Sequence, residues 1–169
     1  MRSLAFAWDY LPIAAYLILL VVAGVAAGRM WQPVANVLFG SPLSGEASGF
    51  LLITLPVSLY FALSEASPRQ ATWGKRRMSL RVTDLAGRRV SHARSLGRTA
   101  LKFAPWELAH ACVWQISFAA DRSSPVYVAG FSLVWLLVVA NVVSMLASRG
   151  RQTLYDRIAG TLVVRSGAV

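Results

Sequence analysis

Long apolar blocks alternate with short polar connections along the chain. Three blocks contain no Asp, Glu, Lys or Arg, namely residues 10–28, 47–64 and 123–148. A fourth block, residues 103–120, is interrupted only by Glu107 and His110. Because a helix needs roughly 17–25 mostly apolar residues to cross a bilayer, the pattern predicts transmembrane helices at about 10–28, 48–65, 103–120 and 126–147.

The polar stretch between the second and third predicted spans has a different period. From Met78 to Thr83 apolar and polar residues alternate, which is typical of a β-strand. Residues 84–87 then form a predicted turn and residues 88–91 a return strand, so this loop is expected to hold a small β-hairpin. The apolar run Leu162–Val164 is too short to cross a membrane and could be a strand that pairs with the hairpin.

The predicted fold is therefore an all-α membrane protein, with four transmembrane helices and a small cytoplasmic β-hairpin between the second and third. It forms a single domain over residues 1–169. A cleaved signal peptide over residues 1–28 is the alternative for the first block. We disfavour it because the apolar run exceeds the about 7–15 residues of a signal sequence, and Asp9 lies where basic residues are expected.

Composition and charge support a membrane location. The chain is 56% hydrophobic and 14% charged, whereas soluble domains carry about 25% charged residues. The net charge is +10, and ten of the seventeen Lys and Arg residues lie in the loop 66–102. The positive-inside rule places this basic loop and both termini in the cytoplasm. We therefore interpret the charge as a determinant of orientation, not as a nucleic-acid-binding surface.

Basic residues near a bilayer also attract anionic lipid head groups, by about 1 kcal/mol each. The lipid bilayer and its anionic head groups are thus the expected partners. The head-group candidates are Lys75, Arg76, Arg77 and Arg81.

Three segments resemble the RDD family of prokaryotic multi-pass membrane proteins. They are QTLYDRIAGTLVV at 152–164, QATWGKRRMSLRVTDLAGRRVS at 70–91, and the pattern formed by Arg2, Ala5 and Asp9. The resemblance implies a location in the cytoplasmic (inner) membrane. It also implies that Arg2, Asp9 and Asp156 are the arginine and two aspartates of the family's name. Many members have a second arginine shortly before the first aspartate, where this chain has Phe6-Ala7-Trp8.

The same resemblance implies a presumed role in transport, and sodium–proton antiport has been proposed for some members. The acidic residues near the inner boundary are candidates for such a role. A pair between Asp9 and Arg157, or between Arg2 and Asp156, would either form a cation site or clamp the first helix to the C-terminal segment. We favour the clamp, because charge at the membrane boundary is inexpensive.

Glu107 and His110 share one helix face inside the third predicted span. They could form a proton or cation pathway, half of a metal site, or hydrogen bonds between helices, with Glu65 as a further member. We favour hydrogen bonds between helices, because Pro105 places Glu107 near the boundary and a second Glu-x-x-His pair is absent from the sequence. Neither a metal nor another cofactor is expected.

The sequence contains no P-loop, nucleophile elbow or zinc motif, so we expect a non-catalytic protein. The first hypothesis is a small transporter or ion-exchange component, which with four helices would require a homo-oligomer. The alternative is a membrane scaffold, or a lipid- or partner-binding protein that acts through its basic cytoplasmic loop.

Overall fold

The structure is a computed structural model that describes residues 2–166, apart from the side chains of Arg2, Ser3 and Met30. It is mostly helical and includes one small antiparallel sheet. The apolar half of the chain contains α1 (Arg2–Met30), α2 (Gln32–Phe39), α3 (Pro42–Gly49), a π-helical segment (Phe50–Thr54), α4 (Leu55–Ala66), α6 (His92–Phe118) and α7 (Pro125–Ala147). The polar side contains α5 (Trp73–Arg77), β1 (Leu80–Asp84), α8 (Leu154–Ala159) and β2 (Thr161–Arg165).

Three helical stretches of the described chain are long and apolar enough to cross a membrane, namely Leu4–Arg29, Pro42–Ala66 and Pro125–Ala147. They coincide with the first, second and fourth predicted spans. The third predicted span, residues 103–120, lies in α6, which does not reach that apolarity. The reason is that α6 begins with a polar, basic half and then carries Glu107, His110 and Gln115. Four spans thus remain a prediction.

The second span contains a π-helical segment directly before Pro56. Proline has no N–H, so Pro56 cannot donate to the carbonyl of Leu52, its partner in a regular α-helix. The hydroxyl of Tyr16 on α1 donates to that carbonyl instead, at 2.5 Å. A neighbouring helix thereby satisfies a backbone group that proline leaves open.

The sheet pairs β1 with β2 in antiparallel register, with Val82 opposite Val163. This pairing confirms the strand predicted at Leu162–Val164. The predicted hairpin is wrong in its second strand, because residues 88–91 contribute only an isolated bridge between Thr83 and Arg89. The return segment is short because Asp84 accepts backbone bonds from residues 86 and 88, while Ser91 already caps α6.

The interior of the protein lies at this polar end, where α4, α5, α6, α8 and the sheet meet. Phe61, Val82 and Val90 are buried there, together with the charged side chain of Glu65. By contrast, α1 and α7 expose many apolar side chains, as expected for helices that face lipid; Ile18 and Leu136 are 65% and 63% exposed. The buried charged groups are therefore concentrated at one end of the helices.

Candidate functional site

Asp9 connects α1 to the start of α5. Its buried carboxylate accepts hydrogen bonds from the hydroxyl of Thr72 at 2.6 Å, the backbone N–H of Gly74 at 2.7 Å and the hydroxyl of Tyr60 at 2.8 Å. Position 74 requires glycine, because a Cβ there would lie 2.0 Å from the carbonyl oxygen of Ala5. Asp9 thus holds α1 close to α5 through hydrogen bonds. None of the described side chains forms an ion pair with it.

Arg98 of α6 is the centre of a buried ionic cluster. Its guanidinium pairs with Glu65 of α4 at 2.5 Å and with Asp156 of α8 at 2.8 Å. It also donates to the hydroxyl of Thr161 at 3.2 Å. One arginine therefore joins the end of the second span to α8 and the start of β2, because separate nitrogens of its guanidinium bond to the two carboxylates.

The groups of this cluster stabilise one another in their charged forms. Burial alone would lower the pKa of Arg98, but the carboxylates of Glu65 and Asp156 more than offset it and raise that pKa above its ordinary value. Lys75 forms a second ion pair with Glu65. Each carboxylate thus has a permanent cationic partner, and the cluster is suited to a structural role.

Asp156 occupies the third position of α8, where it forms a reciprocal capping box with Thr153. Gly160, in the left-handed conformation with φ of 62°, ends the helix and lets β2 begin one residue later. Neighbouring Arg157 is exposed and does not contact Asp9, so the predicted Asp9–Arg157 pair does not form. The predicted Arg2–Asp156 pair lies outside the described residues, because the side chain of Arg2 is not described.

Sequence reasoning missed Arg98 as a site residue. A signal was present, because four polar residues recur at helical spacing on one face at the start of α6: Ser95, Arg98, Thr99 and Lys102. Three of them are buried. A polar stripe at the start of a helix that continues as an apolar one indicates a buried polar contact.

Glu107 and His110 lie one turn apart on α6, next to the π-helical segment. Glu107 accepts a hydrogen bond from the hydroxyl of Thr54, the last residue of that segment. The Nδ1 atom of His110 is 3.8 Å from the Glu107 carboxylate, too far for a hydrogen bond. It is buried and has no hydrogen-bond partner among the described residues. Glu65 does not join this pair, since it bonds to Lys75 and Arg98.

A cavity of about 610 Å³ opens between α1, α6 and α7. Its floor is polar and includes Asp9, Arg98, Lys102 and Asp156, whereas its walls are apolar and include Val134, Val138 and Phe103. The ammonium group of Lys102 lies 3.2 Å from the centre of the Phe61 ring. Burial, together with nearby Lys75, holds the pKa of Lys102 well below its ordinary value.

The predicted head-group residues occupy different surroundings. Lys75 is engaged by Glu65, and Arg81 is half-buried in β1. Arg76 is exposed. Arg77 stacks over the rings of Trp8 and Trp73, at 5.4 and 5.1 Å. Arg76 and Arg77 are thus the members of this set that the structure presents at the surface.

Apolar helices joined at one end by buried charges define a helical membrane protein. Within residues 2–166, no group of three or more His, Cys, Asp or Glu side chains is placed to hold a metal ion. The sequence model of the RDD family matches residues 1–160, and the chain belongs to that family. No curated protein and no solved structure matches the chain significantly.

Proposed function

We propose that this member of the RDD family is a non-catalytic, four-span protein of the prokaryotic cytoplasmic membrane. It acts as a small ion-exchange component and has both termini in the cytoplasm. The carboxyl group of Glu107 is the group that binds and releases the proton. His110 and Thr54 adjust its hydrogen bonding as it does so.

Two contacts support an even number of membrane crossings. Asp9 bonds to Thr72 and Gly74, so the start of α1 and the start of α5 lie on one side of the membrane. The chain between them contains the first and second spans. Strands β1 and β2 also share one side, and the chain between them contains α6 and α7. If α7 crosses the bilayer, α6 must cross it as well, despite its lower apolarity.

The observation that carries the ion-exchange proposal is that, among the described residues, Glu107 contacts only uncharged or titratable side chains. Its neighbours are the hydroxyl of Thr54 and the imidazole of His110. Glu65 and Asp156 pair with Lys75 or Arg98, while Asp9 accepts three hydrogen bonds. Glu107 can therefore change its protonation state without leaving a buried cation unpaired.

The adjacent π-helical segment supports the same assignment. Single π-helical turns inside α-helices occur frequently at functional sites. Thr54, the last residue of this segment, donates a hydrogen bond to Glu107. The buried Nδ1 of His110 has no hydrogen-bond partner among the described residues, which is uncommon for a buried polar atom. A proton shared between Glu107 and His110 would give this Nδ1 atom a hydrogen-bond partner.

The test is ion flux in proteoliposomes that contain a trapped pH-sensitive dye. Addition of Na⁺ or K⁺ should release protons through the wild type, and Glu107→Gln should abolish the response at equal protein yield. Glu46→Gln, which changes an acid in α3, is the matched control and should transport normally. A wild type that moves neither ion, or a fully active Glu107→Gln variant, would refute the proposal.

A lipid- or partner-binding scaffold is the second candidate function, favoured by the position of Arg77. Its guanidinium rests on Trp8 and Trp73, and tryptophan is enriched at membrane interfaces. Arg76 and Arg77 would then contact anionic head groups beside the exit of the second span. Retained stability and absent flux in both Glu107→Gln and wild type would favour this candidate.

A further inference from the structure

We propose that the cavity between α1, α6 and α7 binds one anionic phospholipid of the cytoplasmic leaflet, with its phosphate at Lys102. The proposal does not depend on ion exchange. It extends the scaffold candidate from surface contacts to a defined site. The occupant's acyl chain lies along the apolar walls, and its head group lies on the charged floor.

The first argument is the unpaired charge of Lys102. Its ammonium group makes no ion pair or hydrogen bond with the described residues, and it faces the rings of Phe6, Phe61 and Phe103. The carboxylates of Glu65 and Asp156 already pair with Arg98, and Glu65 also pairs with Lys75.

Asp9, the remaining acid of the floor, accepts hydrogen bonds from three other groups. An anion that binds at Lys102 would raise its lowered pKa and keep the ammonium group charged, and it would come from outside the described chain. A phosphate diester is such an anion. Lys75 and Arg98 lie at the same floor, but Glu65 and Asp156 balance their charges, so the attraction comes from Lys102.

The second argument is the direction in which the cavity runs. On α6 it extends from Arg98 to Ala109, and on α7 from Met145 to Val134. Each stretch spans about 16 Å along its helix at a rise of about 1.5 Å per residue. That length matches one leaflet of a hydrocarbon core roughly 30 Å thick. The polar end lies at the cytoplasmic boundary and the apolar end points toward the membrane centre.

The walls also favour a lipid over a soluble anion. Val134, Val138 and Val142 of α7 line one side, and Phe6 and Phe103 line the other. A free phosphate would leave these apolar walls uncovered. Val138 and Val142 are 38% and 46% exposed, so a chain in this groove can enter sideways from the bilayer.

The test compares detergent-purified wild type with Lys102→Met and with Arg89→Met, a control at an exposed arginine outside the cavity. Binding of phosphatidylglycerol and of phosphatidylcholine with the same acyl chains is measured by native mass spectrometry and thermal shift. Wild type should retain one phosphatidylglycerol and be stabilised by it more than by phosphatidylcholine. Lys102→Met should lose at least about tenfold in affinity for phosphatidylglycerol, and Arg89→Met should bind normally.

The lipid-free Lys102→Met variant should melt at a higher temperature than wild type, because it removes a half-buried cation without an ionic partner. Higher stability with weaker binding separates a binding role from a folding defect. A second variant, Val138→Trp, narrows the groove and should also reduce phosphatidylglycerol binding.

Three results would overturn the proposal. They are equal phosphatidylglycerol affinity in Lys102→Met and wild type, an equal loss in Arg89→Met, and protection by inorganic phosphate as strong as that by the lipid. None of these measurements involves flux. Failure of the lipid proposal can therefore be distinguished from failure of the ion-exchange proposal.

Discussion

The hydroxyl of Tyr16 donates to the carbonyl oxygen of Leu52, the backbone acceptor that Pro56 leaves without its helical donor. Tyr16→Phe should lower the free energy of unfolding by about 0.6 kcal/mol, an average value for a hydrogen bond between membrane helices. In a Pro56→Ala background the new N–H can bond to Leu52, so the same change should cost less. Unfolding in mixed micelles measures this double-mutant cycle, and equal costs in both backgrounds would contradict it.

Arg98→Met should lower the free energy of unfolding by about 3–5 kcal/mol, because it leaves Glu65 and Asp156 in the interior without their shared cation. Arg94→Met changes a half-exposed arginine 3.9 Å from Asp84 and should cost less than about 1 kcal/mol. Thermal unfolding in detergent compares the two. Similar melting temperatures would show that the buried cluster does not stabilise the fold.

Two glycines should respond to alanine in opposite directions. Gly74→Ala places a methyl group against the carbonyl of Ala5, so α5 must move away from Asp9 and stability should fall. Gly97→Ala in α6 meets open space and should raise stability by about 0.5–1 kcal/mol through its helix preference. Melting curves check both changes, and a neutral Gly74→Ala would argue against the tight α1–α5 contact.

Asp84 should contribute to the acid sensitivity of the fold. Hydrogen bonding from the backbone N–H of Arg88 holds the pKa of Asp84 below its ordinary value of 3.8. Since the folded-state pKa is depressed, the stabilisation is complete above pH 3.8 and is lost as the pH falls below it. Asp84→Asn should therefore lose less stability than wild type on acidification from pH 4 to lower values. Parallel acid profiles would exclude this contribution.

The two ends of α6 should lie on opposite sides of the membrane. His92 begins the helix and Arg122 follows its end, and both are exposed. In a Cys112→Ser background, a membrane-impermeant maleimide added to intact cells should label the Arg122→Cys variant and not the His92→Cys variant. Labelling of both variants, or of the second alone, would overturn the four-span arrangement with cytoplasmic termini.

The hydrophobic pattern predicted the elements of the fold more closely than their contacts. Run lengths located three apolar spans, because burial in lipid requires an uninterrupted apolar sequence. The alternation from Met78 located β1, but periodicity carries no information about the partner strand. The strand partner, β2, lies three helices further along the chain, and the turn at Asp84 resembles a hairpin in sequence alone.

The charged site was predicted less completely, for a related reason. Asp9, Asp156 and Glu65 stood out as acids near a predicted boundary, and all three are buried. Their partners did not stand out. Arg98 is one of ten basic residues in its loop, and the positive-inside rule explains such residues without assigning them contacts. A neutral donor such as Thr72 or the N–H of Gly74 is even less visible in a sequence.

The pairing of β1 with β2 also sets an order of events during synthesis. When β1 leaves the ribosome, its partner has not been made, because α6, α7 and α8 come before β2 in the chain. At roughly 5–20 residues per second, β1 waits several seconds with its hydrogen-bonding edge open. The arrival of α8 and then of β2 completes the ion pair of Asp156 with Arg98 and the sheet. The strand β2 therefore closes the polar end of the helices only after α7 and α8 have been made.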